Sequence, residues 1–116
     1  MPTPIKDLID FDTLKDKISN FIDLDLGEEK IEVLFLAAGE ICAQYLGDVE
    51  FEKLPQAIFL GLVVFVKTLL DREDTNGLTS AKTKDLVESY AKAFSTDAAF
   101  LSVRNLWKPF KLDVLL

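Results

Sequence analysis

The sequence predicts an all-α protein: a small bundle of about four helices, with a long loop or short extended segment between the third and fourth. Three observations carry this. Apolar residues recur at helical spacing in separate stretches, Gly47 and Pro55 stand where one stretch stops and the next starts, and the longest apolar run exceeds an ordinary strand. At 116 residues the chain is expected to form one domain, 1–116.

The first helix is predicted near 13–22, where Leu14, Ile18, Phe21 and Ile22 follow Asp12 as N-cap and the stretch from Asp23 to Gly27 interrupts the pattern. The second is predicted over 28–46. Asp25 and Glu28 have capping-box spacing, Ile31, Leu34, Phe35, Ala38, Ile41, Cys42 and Tyr45 share one stripe, and Gly47 supplies the stop. The third, near 55–72, opens at Pro55 in the first turn. Its run from Ala57 to Val66 is apolar on every face, so it is either central or partly covered by another chain. Four β-branched residues leave a buried strand open there; the length, the proline start and the polar end from Lys67 to Glu73 favour helix.

Asn76-Gly77 marks 74–83 as an exposed loop. From Lys84 to Phe94 the spacing is ambiguous: Leu86, Tyr90 and Phe94 recur every four residues, which suits a helix and also one face of a strand. The fourth helix, near 97–108, is capped by Asp97, has Phe100, Leu101, Val103, Leu106 and Trp107 as apolar positions, and ends at Pro109. Beyond it lies the apolar stretch from Leu112 to Leu116.

Composition narrows the chemistry. A formal charge of −7 disfavours a sequence-independent grip on nucleic-acid phosphates. With no histidine, a Ser-His-Asp triad, a histidine zinc site and a histidine proton shuttle are excluded. A single cysteine allows no internal disulfide and fits a reducing compartment. Met1-Pro2-Thr3-Pro4 lacks the layout of a targeting peptide, and the apolar stretch 57–70 is interrupted by Lys67 and falls short of the roughly 20 residues of a membrane span, so a soluble protein without a membrane partner is expected. Asp71-Arg72-Glu73-Asp74 and the set Asp7, Asp10, Asp12 and Asp16 read as solvated surface rather than metal sites. Cys42 falls on the apolar stripe of the second helix, where a small buried hydrophobe is expected. Five scattered glycines make neither a Walker loop nor a dinucleotide fingerprint. No catalytic, cofactor-binding or metal-binding residue is predicted, and the chain is read as a non-enzyme. Of Tyr45, Tyr90 and Trp107, which aromatic spacing assigns first to a core, Trp107 is the strongest interface candidate.

Taken in order, several phrases resemble the small head-to-tail connector proteins of tailed phages. They are an Ala-Ala-bearing helix ending Ile41-Cys42-Ala43-Gln44-Tyr45-Leu46-Gly47, an apolar helix opened by Pro55 and ending Asp71-Arg72-Glu73, the stretch Val87-Glu88-Ser89-Tyr90-Ala91-Lys92, and a closing Leu106-Trp107-Lys108-Pro109-Phe110. The chain departs from that family at Leu70 and Asp71, where an aromatic or polar residue precedes the Arg-Glu pair, and at Lys111, where an arginine is common. The resemblance implies a virion-neck protein assembled in the host cytoplasm: a dodecameric ring of this chain that joins the portal protein to a tail or stopper protein. DNA would pass through it without specific binding. It also implies that 87–94 is extended.

Charge is compatible with such a ring. Residues 1–54 hold thirteen acids and five bases, net −8, and 55–116 hold seven acids and eight bases, net +1. An acidic lining would repel DNA phosphates. Within 82–111, six bases against three acids could face the acidic half of a neighbour, with Lys84, Lys92 and Arg104 the candidate interface residues. The C-terminal stretch carries Trp107, Phe110, Leu112, Val114, Leu115 and Leu116, which are expected to dock on a partner, the portal in the connector reading, or else to fold back on the chain's own core. The alternative function is a small intracellular helical adaptor or regulatory protein acting as a dimer through its third helix. A carboxylate-dependent metal hydrolase lacks a complete ligand and base set.

Overall fold

The computed structural model describes residues 2–71 and 83–111, with the side chains of Leu26 and of 83–86 outside that description. Among the described residues the fold is all-α apart from one two-stranded ribbon. β1 (Thr3–Pro4) leads into α1 (Ile5–Leu8) and α2 (Phe11–Ile18); a 3-10 turn (Leu24–Leu26) precedes the long α3 (Glu28–Leu46); β2 (Glu50–Phe51) leads to α4 (Gln56–Leu70). Then come α5 (Thr83–Thr96), a 3-10 turn (Ala98–Phe100), α6 (Leu101–Trp107) and a last 3-10 turn (Lys108–Phe110). β1 and β2 pair antiparallel, Thr3 opposite Phe51 and Pro4 opposite Glu50, which ties the first residues to the α3–α4 connection.

The long helices stand where the apolar periodicity puts them, with differences at their ends. α2 spans 11–18 against the expected 13–22, so Phe21 and Ile22 fall beyond its end and Asp10 rather than Asp12 occupies the N-cap position, its carboxylate accepting from the Thr13 hydroxyl at 2.5 Å. The Asp25–Glu28 capping box does not form. Gly27, at φ 144°, takes the N-cap of α3, and Asp23 accepts the Asp25 amide at 3.0 Å, which closes the 3-10 turn instead. Gly47 ends α3 at φ 87°, its amide bonded to the Ala43 carbonyl at 3.0 Å.

The segment 87–94 is helical, not extended. Val87, Tyr90 and Phe94 are buried on one side of α5 while Glu88, Ser89 and Lys92 are exposed, so the four-residue repeat decides between the two readings. Of the loop expected at 74–83, residues 74–82 lie outside the described residues and Thr83 opens α5. Asp97 opens the last helical unit as expected, accepting from the Ala99 amide at 2.9 Å. Pro109 does not cut the chain loose: it sits in a 3-10 turn that continues from α6.

α4 is central. It packs against α3 on one side and α6 on another, and Ile58, Phe59, Leu62, Val63, Phe65, Val66 and Leu69 are buried. α6 runs antiparallel to α4, since Trp107 reaches Ile58 while Phe100 meets Phe65 with ring centroids 4.7 Å apart. Tyr45, Phe65, Phe94, Phe100 and Trp107 form an aromatic cluster where α3, α4, α5 and α6 meet.

Candidate functional site

Among the described residues no group of three or more His, Cys, Asp or Glu side chains could hold a metal ion. Asp7, Asp10, Asp12 and Asp16 are exposed along α1 and α2, and Asp71 is exposed at the end of α4; Arg72, Glu73 and Asp74 lie outside the described residues. Cys42 is fully buried, and burial pushes its thiol up to about 12, so near neutral pH it is a protonated, apolar side chain rather than a nucleophile. Lys15 and Glu28 form an ion pair at 2.9 Å between α2 and the first turn of α3; hydrogen bonding to Glu28 raises the Lys15 pKa.

A cavity of about 370 Å³ opens between the α2–α3 connection and the end of α4. Phe21, Ile22, Ile31 and Leu70 give it apolar walls, and Lys30, Lys67, Asp23 and Asp71 stand around it. It has apolar surface and charges of both signs, but no nucleophile paired with a base. No described helix is long and apolar enough to cross a membrane.

The structure sorts the predicted interaction residues into three groups. Lys92 is exposed on α5, as an interface base must be; Lys84 lies on the same helix, with its side chain outside the description. Arg104 is half-buried and already engaged: its guanidinium donates to the Phe94 and Asp97 carbonyls, capping the end of α5 from α6. This corrects its assignment as a free interface base, because those hydrogen bonds hold the guanidinium inside its own chain.

Trp107 is likewise corrected. It is 0% exposed, and its indole N–H donates to the Ile58 carbonyl at 3.1 Å in the heart of the α4–α6 contact. Phe110 is half-buried, edge-on to Phe51 with centroids 5.8 Å apart, and Lys111 lies 4.7 Å over the Tyr45 ring. The 3-10 turn at 108–110 thus brings the late residues back onto the α3–β2 end of the molecule rather than presenting them to a partner. Leu112, Val114, Leu115 and Leu116 lie outside the described residues.

Large apolar side chains that do reach solvent are Phe21 at 43%, Leu36 at 41% and Leu101 at 50% exposure. Leu36 was hidden in a helix whose apolar positions outnumber those of one stripe; the Glu29 to Glu40 spacing on either side of it was the available sequence signal. Compared with protein-family models, with curated proteins and with solved structures, the chain matches none.

Proposed function

We propose that this chain is a non-enzymatic structural component of a phage virion: a connector whose subunits form a ring between portal and tail and extend the DNA channel. The observation that carries the reading is the placement of the acidic half. All thirteen acids of residues 1–54 reach solvent, twelve exposed and Glu32 half-buried, so the net −8 is surface charge rather than buried ion pairing. Such a surface suits a conduit, because like charge keeps DNA phosphates from adhering while leaving passage open. Portal, tail or stopper protein, and passing DNA are the partners in this reading, with the virion neck as location.

For the alternative, a small helical adaptor acting as a dimer through its third helix, α4 packs against α3 and α6 and keeps Leu60, Val64 and Lys67 partly or fully open to solvent. The test is co-sedimentation with the portal protein encoded in the same genome. The connector reading expects the chain to travel with assembled portal rings. A chain that stays behind as a dimer, with no portal or capsid gene beside its own, would contradict it.

A further inference from the structure

We infer that the cavity between the α2–α3 connection and the end of α4 binds a small zwitterion, a free α-amino acid with a large apolar side chain. The inference is independent of the connector reading, because the site lies within one chain.

At about 370 Å³ the cavity is in the range of small-ligand pockets, roughly 300–1,000 Å³. Its apolar walls come from three parts of the chain. Ile22 and Ile31 are buried and Leu70 is half-buried. Phe21 is 43% exposed and yet fixed in place, edge-on to Phe59 with ring centroids 6.0 Å apart. An apolar group lying on Phe21 and Leu70 would remove from water a surface that the chain itself leaves open.

The charges around the cavity select the ligand. Lys30 and Lys67 line it from α3 and α4, and Asp23 and Asp71 line it from the α2–α3 connection and the end of α4. Lys30 is half-buried, and among the described residues the side chains of Lys30, Lys67 and Asp71 have no ion-pair or hydrogen-bond partner. One oxygen of Asp23 accepts the Asp25 amide. A purely anionic amphipath would meet the two aspartates, and a purely cationic one the two lysines, so like charge opposes both. A net-neutral ligand carrying both signs finds an opposite charge for each.

Spacing narrows the class further. Lys67 and Asp71 stand one turn apart at the end of α4, where Cβ atoms four residues apart are about 5–6 Å from each other. A carboxylate and an ammonium on a single carbon suit two opposite charges that close. With the carboxylate on Lys67 and Lys30 and the ammonium on Asp71, the side chain of that same carbon lies on the apolar walls. A ligand so held bridges the start of α3 and the end of α4.

Isothermal titration calorimetry of the full chain with L-leucine and with L-phenylalanine tests the site. Each should bind one to one and raise the melting temperature. Glycine has both charges and no side chain; isocaproate is leucine without its ammonium, and isoamylamine is leucine without its carboxylate. All three should bind weaker than leucine by about tenfold or more. Lys67→Gln and Asp71→Asn, both at exposed positions, should each weaken leucine by about tenfold with helicity unchanged by circular dichroism. Lys67→Gln should not weaken isoamylamine, nor Asp71→Asn isocaproate, since each variant keeps the charge that ligand uses. Should either variant lose helicity, Lys30→Gln takes its place. Leucine and phenylalanine that fail to bind at millimolar concentration would overturn the inference. So would isocaproate or isoamylamine binding as tightly as leucine, or leucine binding that the substitutions leave unchanged.

Discussion

Gly61 on α4 and Gly39 on α3 each let a neighbour press onto a helix, but what presses differs. At Gly61 it is the indole of Trp107, fully buried and fixed by its hydrogen bond to Ile58; an added Cβ would lie 2.1 Å from its Nε1 and 2.7 Å from Cε2. At Gly39 it is a methyl of Ile9, in the short connection between α1 and α2, and the corresponding distance is 2.7 Å. A rigid ring held among four helices cannot yield, whereas a residue between two short helices can. The difference separates a core that fixes the fold from a flank that rests on it.

The contrast is sharpest at the indole. Trp107→Ala should lower stability by about 3–5 kcal/mol, the range for emptying a large aromatic site, in a denaturant titration. A loss under about 1 kcal/mol would mean that Trp107 is not the centre of the α4–α6 contact. Gly61→Ala comes next. The gain in helix propensity, about 1 kcal/mol, is set against overpacking of about 1–3 kcal/mol at the ring, for a net loss of up to about 2 kcal/mol by the same titration.

Cys42 lies on α3 between these two regions, and its effect is conditional on pH. Its folded pKa is about 12 against an ordinary value of 9.0, so between those values the folded chain holds a proton that the unfolded chain has shed. Unfolding then releases a proton, and stability falls with rising pH by about 1.4 kcal/mol per unit between the two values, with no pH dependence from this group well below pH 9. The stability difference between wild type and Cys42→Ala, followed from pH 8 to about 11, should shrink accordingly. A constant difference would show that the thiol is not held protonated. Smallest is Gly39→Ala: propensity gain and displacement of Ile9 nearly cancel, leaving within about 1 kcal/mol of wild type in thermal melts. A loss equal to that of Gly61→Ala would erase the distinction between core and flank.

Much of this architecture was legible in the residues, and what was not has physical causes. The stripe from Ile31 to Tyr45 and the stop at Gly47 located α3 at its observed bounds, because periodicity and a glycine terminus are local signals. The helix at 83–96 was only half legible, because the Leu86, Tyr90, Phe94 repeat suits a helix and one face of a strand alike, and the family resemblance pointed to the extended conformation that the structure replaces. Trp107 and Arg104 were misassigned because their partners are distant: Ile58 is 49 residues away, and the Phe94 carbonyl belongs to the preceding helix. A single sequence does not show that a tryptophan one turn from Pro109 meets a glycine on another helix. Nor does it separate an arginine that caps a helix from one that faces a neighbour. The acidic early half was legible as charge, and the fold adds that it is surface.

Electron microscopy of the purified full chain, alone and mixed with portal particles, bears most directly on the proposed ring. Closed rings of one size with an axial opening are expected. A population of monomers or dimers without rings, in the presence of the portal as well as alone, would contradict it.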